Sequence, residues 1–352
     1  MSFLQASDFE LITDGLEYPE SPVYLPDGSI LLVEIRGKRV TLVAPDGTKQ
    51  EMVDVPGGPN GCALGPDGHL YVANNGGFNW IPIPVGDQTI CIGVGQPPEY
   101  SGGRIERIDL EDKTVTTLYT DCSKGYELQG LPNPVSKEVD LEESVKLRGP
   151  DDLVFDENGN FWIPDFGKVR ARDADVTGIF YAKHDGTDIR EILFPLAAPN
   201  GIALSPDGKR LYTSLTYSRQ INYWELEEAG TSRIKPNPAT ADGAYCLSAK
   251  LPGQSILDSM AVDSVGNVYV ATMLPEGNTP LANGGITIIS PDGKTIENME
   301  IQIPGKFSPL PSSMCFGGHD MKTLYVTCGA AGLLAKVRMH IPGLKLHFNK
   351  YN

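Results

Sequence analysis

The sequence predicts an all-β fold: a six-bladed β-propeller with four-stranded blades. Two observations lead to this prediction, a repeated motif with fixed internal spacing and a series of short strand-like runs without an amphipathic helical run. The 352 residues include 39 glycines and 28 prolines, a composition that favours many tight turns. Because a propeller closes as one unit even in a long chain, we expect residues 1–352 to form a single domain.

The repeated motif is clearest over residues 199–214, where an apolar run, a Pro-Asp-Gly turn and a second strand-like run follow one another. In five copies a turn glycine lies eight positions beyond the same aligned residue, and a sixth copy is degenerate. The aligned residues, called the inner ring below, are Glu20, Asn60, Asp151, Asn200, Asp258 and Ser312. Each copy has the pattern of a β-hairpin, and the intervals between copies suit propeller blades with insertions.

The ends of the chain are predicted to close the ring. Residues 9–13 form a strand-like run before the first copy, and we expect them to be the outer strand of the last blade. This pairing would remove two free sheet edges. The first blade then covers about 20–55, with its third strand at 40–43.

Two long insertions interrupt the repeats, at 76–103 and 121–149, and both are expected on the face where the active site lies. Loops of this size are usually binding walls or lids, or else disordered. The first contains Phe78, Trp80, Ile81 and Ile83. These side chains fit either a partly enclosed apolar pocket or the packing of a lid onto the rim.

Charge and composition exclude some classes of partner. With 45 acidic and 29 basic residues, the formal charge of -16 disfavours nucleic acid and anionic membranes and favours a bound cation. No apolar run approaches the length of a membrane span, and the start lacks a signal-peptide pattern. The six cysteines include no CxxC pair, so we expect reduced thiols and a cytoplasmic location.

The inner ring is the candidate metal site. Innermost strands border the central channel of a propeller, so three carboxylates and two amides are predicted to meet there. Buried carboxylates repel one another, and a hard cation relieves that repulsion. Oxygen donors without histidine or cysteine favour Ca²⁺, with Mg²⁺, Mn²⁺ or, less well, Zn²⁺ as alternatives. Asn and Asp also occur at turns for local reasons, but Glu20 is a poor turn residue.

Several motifs carry a resemblance to a known family. They are Pro-Glu-Ser-Pro around Glu20, Pro-Asn-Gly-Ile-Ala-Leu-Ser-Pro-Asp-Gly around Asn200, Leu-Asp-Ser-Met-Ala-Val-Asp around Asp258, and Cys-Phe-Gly-Gly from Cys315. As a set they resemble the senescence-marker-protein/gluconolactonase/luciferin-regenerating-enzyme family over roughly residues 9–340. The resemblance implies a six-bladed propeller with a divalent metal, usually calcium, that hydrolyses sugar lactones or, in related diisopropylfluorophosphatases, organophosphate esters.

Residue roles follow from the same resemblance. Glu20, Asn200 and Asp258 match the family's metal ligands, and Asp258 also matches its catalytic base or nucleophile. Asp151 stands where the family usually has Asn, so the resemblance makes Asp151 the fourth metal ligand, with an extra negative charge that bears on the metal preference. Asn60 matches no ligand and is expected to hold a metal-bound water or to touch the substrate.

These observations predict a metal-dependent lactonase, in which the metal polarises the carbonyl and Asp258 acts as base or nucleophile. A phosphotriesterase and a non-catalytic ligand-binding propeller are the alternatives. No Gly-x-Ser-x-Gly motif occurs, which disfavours a serine hydrolase. The substrate is a small lactone or ester, and the residues expected to contact it are Asn60, Asn74, Trp80, Asp165, Tyr217 and Met273.

Overall fold

A computed structural model of the chain describes residues 9–122, 144–240, 242–248, 251, 255–276, 279–306 and 310–350. The first strands are β1 (Glu10–Thr13), β2 (Pro19–Tyr24), β3 (Ile30–Glu34), β4 (Arg39–Val43), β5 (Lys49–Asp54), β6 (Pro59–Leu64), β7 (Leu70–Asn74), β8 (Asn79–Val85), β9 (Gln88–Val94), β10 (Arg104–Ile108), β11 (Val115–Tyr119), β12 (Asp121–Cys122), β13 (Val145–Lys146) and β14 (Val154–Phe155). The others are β15 (Asn160–Pro164), β16 (Thr177–Lys183), β17 (Ile189–Leu196), β18 (Pro199–Leu204), β19 (Arg210–Leu215), β20 (Gln220–Glu225), β21 (Tyr245–Ser248), β22 (Ile256–Val262), β23 (Val268–Glu276), β24 (Thr279–Ile289), β25 (Ile296–Glu300), β26 (Ser313–Gly317), β27 (Thr323–Cys328) and β28 (Leu333–Arg338).

These strands form six antiparallel blades of four strands each, and the predicted six-bladed propeller is confirmed. From the channel outwards, the blades are β2-β3-β4-β5, β6-β7-β10-β11, β14-β15-β16-β17, β18-β19-β20-β21, β22-β23-β24-β25 and β26-β27-β28-β1. Each blade follows the sequence pattern, because a β-branched or aromatic run pairs with its neighbour across a Gly-containing turn.

The N-terminal strand closes the ring as predicted. β1 pairs antiparallel with β28, placing Glu10 opposite Lys336 and Leu11 opposite Ala335. Phe9, just before it, is buried in the apolar cluster between the fifth and sixth blades. The last blade therefore takes strands from both ends of the chain, and its outer edge is covered.

Apolar side chains between neighbouring blades form the core. Tyr71 packs against Phe155 and Phe161 between blades two and three, with the Tyr71 and Phe155 ring centroids 5.1 Å apart. Between blades three and four, Trp162 and Trp224 belong to one buried cluster. Because these contacts join side chains far apart in sequence, each blade fixes the position of the next.

The inner strands of adjacent blades approach closely at two glycines. A Cβ added to Gly61 would lie 2.4 Å from Asp152 Cα, and one added to Gly201 would lie 2.7 Å from Ser259 Cα. These distances are too short for any side chain. The glycines that follow Asn60 and Asn200 thus bring two ring residues next to the neighbouring blades.

The first insertion forms a hairpin, called the roof hairpin below, from β8 and β9. The second insertion begins and ends with the paired strands β12 and β13. The rest of this predicted loop, residues 123–143, lies outside the described residues. Met273, one of the expected substrate contacts, lies within β23, because the β23–β24 pairing extends beyond it and sets Met273 opposite Gly284.

The C-terminal segment lies across the end of the channel opposite the inner-ring starts. Leu344 and His347 help to line a cavity of about 150 Å³, together with residues one to six positions beyond the ring in the inner strands. Leu344 N–H donates to Val262 O at 2.9 Å, and the Phe348 ring lies 5.7 Å from that of Phe155. In the described part of the chain, no helix is long and apolar enough to cross a membrane.

Candidate active site

Three carboxylates of the inner ring face one another near the start of the inner strands. Glu20 lies in β2, Asp258 lies in β22, and Asp151 precedes β14. Burial, followed by the charges of Asp258 and Asp151, raises the pKa of the Glu20 carboxyl well above its usual value. Burial and the charges of Asp258 and Asp152 do the same for Asp151. Each carboxylate therefore lies within electrostatic reach of the others.

The surroundings of the Asp258 carboxyl shift its pKa in both directions. Burial raises the pKa of its carboxyl to about 7, while hydrogen bonds from the Asn200 side chain and Ser259 N–H lower it. A carboxyl that titrates near neutrality is suited to proton transfer in water.

Asn200 supplies the clearest indication of a missing partner. Its Oδ1 atom is buried and accepts no hydrogen bond within the part of the chain that the structure describes. Its amide group donates to Asp258 on the other side. A buried amide oxygen beside a group of carboxylates normally has a partner, and a hard cation is the partner that matches oxygen donors.

Ser214 holds these two residues in place. Its hydroxyl accepts a hydrogen bond from Gly201 N–H at 2.8 Å and donates one to Asp258 O, also at 2.8 Å. Ser214 is fully buried at β19. This residue, which the sequence did not single out, links the starts of β18 and β22.

Asp152 turns away from Asp151 and ties inner strands together. Its carboxylate accepts hydrogen bonds from Leu153 N–H at 2.8 Å and Ile202 N–H at 3.3 Å, and it also bonds the Ser259 side chain. Burial raises its pKa to about 7. Of the two adjacent aspartates, Asp151 is therefore the one left to face the ring.

Asn60 and Ser312 complete the ring. Asn60 is buried in β6, and the close approach of Gly61 to the third blade places it next to Asp151. The Ser312 hydroxyl donates to Pro19 O at 3.0 Å and also bonds the Glu20 side chain. Both residues stand at the predicted level of the channel, and their roles remain predictions.

The donor set fits an oxygen-seeking cation. The ring offers carboxylate and amide oxygens, and the nearby Cys62 thiol is occupied in a bond to Ser21 O at 3.1 Å. Burial raises the pKa of that thiol well above its usual value, so it is not a thiolate ligand. Within the described residues, no three side chains of His, Cys, Asp or Glu are grouped closely enough to hold an ion as they stand. The buried amide oxygen of Asn200 is the further oxygen donor that this ring offers.

Tyr18 was missed by the sequence reasoning. Burial and the charges of Asp258, Glu20 and Asp151 raise the pKa of its hydroxyl well above the usual value, which places the phenol over the ring. Its backbone adopts φ 61°, a left-handed conformation that a bulky residue rarely takes. Such strain commonly occurs at functional sites, but no sequence pattern distinguishes this tyrosine from a core residue.

Two predicted substrate contacts have structural partners. Asn74 bonds Gly58 N–H at 2.8 Å and Pro56 O at 2.9 Å and also contacts Glu106. Asp165 accepts from Arg148 N–H and Gly149 N–H, both at 2.7 Å. These bonds hold the loops beside the mouth of the channel.

The roof hairpin is fastened at its base by a buried lysine. Lys168 is 1% exposed, and its Nζ donates to Gly77 O at 2.7 Å while lying 4.0 Å from the centre of the Phe78 ring. Burial lowers the pKa of its ammonium group to about 7. The third blade thereby holds the start of the insertion.

The roof hairpin then extends over the mouth to the far side of the ring. Cys91 N–H donates to Ala330 O at 2.9 Å, in the sixth blade. The buried part of a shared apolar cluster consists of Ile90, Met273, Leu310 and Ala330. Trp80 lies beneath, with its ring centroid 5.1 Å from that of Tyr18. The roof hairpin therefore joins the third blade to the sixth, and it brings Trp80 into contact with Tyr18.

Tyr217 lies on the uncovered side of the mouth. It is 59% exposed, and its ring centroid is 5.8 Å from that of Phe166. Partial burial and the charges of Asp151 and Asp258 nevertheless raise the pKa of its hydroxyl. The phenol therefore lies within electrostatic reach of the ring while much of the side chain remains open to solvent.

Comparison with known proteins now identifies the class. The structure is a six-bladed propeller with acidic and amide oxygens at its inner-strand starts. Residues 18–330 match the model of the SMP-30/Gluconolactonase/LRE-like region. The chain belongs to this family.

Individual relatives agree with this assignment. A gluconolactonase of Zymomonas mobilis is 24% identical over 348 residues, covering 92% of this chain and 79% of that protein. The lactonase drp35 of Staphylococcus epidermidis is 28% identical over 173 residues, covering 49% of this chain and 48% of its own.

Solved structures share the fold. A calcium-binding regucalcin of Agrobacterium tumefaciens superposes with a TM-score of 0.64 at 17% identity, over the full length of both chains. A gluconolactonase of Xanthomonas campestris gives a TM-score of 0.62 at 18% identity, covering 95% of this chain and 89% of its own.

Proposed function

We propose that this protein hydrolyses lactones with the help of a divalent cation, most simply Ca²⁺, held by Glu20, Asp151, Asn200 and Asp258. The observation that carries the proposal is the buried, unpartnered Asn200 Oδ1 beside mutually repelling carboxylates, in a chain whose relatives are lactonases. When bound, such a cation acts as a Lewis acid toward a carbonyl oxygen.

The chain's own residues supply the remaining chemistry. Asp258 takes a proton from water as the water oxygen bonds to the lactone carbonyl carbon, or its carboxylate attacks that carbon directly. In either route the ring C–O bond then breaks and the ring oxygen gains a proton. The water route releases the hydroxy acid directly, whereas direct attack leaves an acyl–Asp258 anhydride that one water molecule hydrolyses to the hydroxy acid and free Asp258. Asn200 orients Asp258 through its amide hydrogen bond. Asn60 lies where it can contact water or substrate.

A lactone panel tests the proposal. Activity should disappear when EDTA removes the ion and should return with calcium, with manganese, magnesium and zinc compared in parallel. Phosphotriesters in the same panel test the alternative ester class. Metal-independent hydrolysis at the untreated rate would contradict the proposal. So would a metal-replete protein that binds calcium but turns over no lactone, which is the behaviour of a non-catalytic propeller.

The two roles of Asp258 can be separated by isotope labelling. In a single turnover in H₂¹⁸O, a water-activating Asp258 leads to labelled product. A nucleophilic Asp258 gives unlabelled product when water attacks the aspartyl carbonyl carbon of the anhydride, because the hydroxy acid then keeps an oxygen from Asp258 and the label stays on the protein. The label in the hydroxy acid, measured by mass spectrometry, distinguishes them.

A further inference from the structure

The mouth of the channel has walls of two kinds. Toward the fifth and sixth blades, Met273 and Leu310 meet the roof hairpin through a shared apolar cluster, with Ile256 packed against it. Ile256 and Leu310 stand two positions before the ring residues Asp258 and Ser312. Both belong to the apolar cluster that meets the roof hairpin, so this wall lies next to the starts of the fifth and sixth inner strands.

Aromatic pairs flank the ring on two sides. Trp80 and Tyr18 form one pair under the roof hairpin, at 5.1 Å between ring centroids. Phe166 and Tyr217 form the other, at 5.8 Å. The charges of Asp151 and Asp258 act on both tyrosines, so both phenols lie within electrostatic reach of the same group of carboxylates. A substrate that reaches the carboxylates therefore passes between aromatic surfaces.

Three polar side chains of the surrounding loops are already engaged, whereas Asn75 Nδ2 and Thr216 Oγ1 are buried without a hydrogen-bond partner in the described part of the chain. Asn74 and Asp165 bond backbone groups of neighbouring loops, and Lys168 bonds Gly77 O. A sugar lactone carries several hydroxyls, and each one buried without a partner costs about 1–3 kcal/mol. Two free polar atoms are too few for the several hydroxyls of a sugar lactone, while the apolar cluster and the two aromatic pairs offer surface that matches hydrocarbon.

The backbone conformation of Tyr18 is a separate observation that supports an apolar substrate site. An aromatic residue at φ 61° is held at a cost of about 1–3 kcal/mol that glycine would avoid, and the sequence nevertheless has tyrosine there. The equivalent residue of the fourth blade, Ala198, adopts φ 51° with only a methyl group, and Thr216 N–H donates to Ala198 O as Ile35 N–H does to Tyr18 O. The strained position therefore presents a ring where the fold alone does not require one.

We propose that the preferred substrates are lactones bearing an alkyl or aryl substituent without hydroxyl groups, bound between the Tyr18–Trp80 and Phe166–Tyr217 pairs. The lactone carbonyl faces the inner ring, and the hydrocarbon extends under the roof hairpin. This inference rests on the proposed lactone hydrolysis and specifies its substrate class.

A homologous series of γ-lactones with growing alkyl chains, compared with glucono-δ-lactone, tests the inference. The value of kcat/KM should rise by up to about fourfold per methylene until the space under the roof is filled. Glucono-δ-lactone should be at least about tenfold poorer than the best alkyl lactone. A flat series with glucono-δ-lactone as the best substrate would overturn the substrate class and leave lactone hydrolysis intact.

Matched variants test whether the Tyr18–Trp80 pair contacts the alkyl substituent. Trp80→Ala and Tyr18→Asn, in which asparagine tolerates the left-handed backbone, should flatten the dependence on chain length. Tyr18→Phe keeps the ring and should retain it. Ile81 is 45% exposed on the neighbouring position of the same strand, so Ile81→Ala is the control and should match the unmodified protein. If Tyr18→Asn and Trp80→Ala keep the full chain-length dependence, the aromatic pair does not bind the substituent.

A binding measurement separates this inference from the proposed function. If no lactone is hydrolysed in the presence of metal, the same γ-lactones are added to the protein and the melting temperature is followed. Stabilisation that increases with chain length and is lost in Trp80→Ala supports the apolar site even though the catalytic proposal fails. No dependence on chain length overturns the inference as well.

Discussion

At the scale of single residues, the Asp258 side chain combines burial, neighbouring negative charge and a hydrogen bond from Asn200. Replacing it with asparagine keeps the volume and removes the base or nucleophile. We expect Asp258→Asn to lower kcat/KM for lactones by roughly 100- to 10,000-fold, the usual contribution of a general base. Circular dichroism and the melting temperature control for folding. Wild-type activity in a folded Asp258→Asn protein would remove Asp258 from the mechanism.

The carboxyl pKa values also predict a pH dependence of stability. The pKa of Asp258 rises from 3.8 to about 7 on folding, and those of Glu20 and Asp151 shift in the same direction. The metal-free folded state therefore binds more protons than the unfolded chain between about pH 4 and pH 7. The stability that the protonated carboxyls give to the metal-free protein is therefore fully present below about pH 4 and is lost as the pH rises through 7.

A bound cation favours the ionised carboxylates, so it should reverse the loss. We expect the gain in melting temperature on adding calcium to EDTA-treated protein to increase between about pH 5 and pH 8. Differential scanning calorimetry across this range measures it. A calcium effect that does not change with pH would show that these carboxylates do not bind the ion.

At the scale of elements, the starts of neighbouring inner strands are held in contact. A Cβ at Gly201 would lie 2.7 Å from Ser259 Cα and 2.9 Å from Asp258 O. Gly201→Ala should push β18 from β22, reduce the free energy of unfolding by about 1–3 kcal/mol and weaken calcium binding. Gly37→Ala is the control, because its Cβ would meet only the side chains of Glu34 and Arg39. Equal calcium affinities in both variants would contradict this positioning role.

The repeats made the inner strands predictable, while the roof hairpin was not. The aligned glycine eight positions after Asn200 or Glu20 fixes the turn, and the alternation of the strand then fixes which side chains face the channel. The path of the roof hairpin depends instead on the bond from Cys91 to Ala330, between residues that share no local pattern. Tyr18 was overlooked for a related reason, because its neighbours in the folded structure distinguish it and no sequence pattern does.

At the scale of the whole molecule, the two ends of the channel have separate roles. The inner-strand starts and the roof hairpin occupy one end, and the C-terminal segment occupies the other, where Phe348 meets Phe155. Removing residues 344–352 should expose this apolar lining and reduce the free energy of unfolding by roughly 2 kcal/mol or more. Urea denaturation and kcat/KM would be measured together. Loss of lactonase activity in a fully folded truncated protein would show that the two ends are coupled.

We propose that oxygen atoms from four separate blades hold one cation on which lactone hydrolysis depends. Calorimetric titration of calcium into EDTA-stripped protein, with lactonase activity assayed at each point, tests it most directly. We expect one calcium ion per chain and lactonase activity that rises in proportion to the fraction of sites occupied. Calcium binding and activity should both be lost in Asn200→Leu. Full activity without bound metal, or calcium binding that Asn200→Leu leaves unchanged, would contradict it.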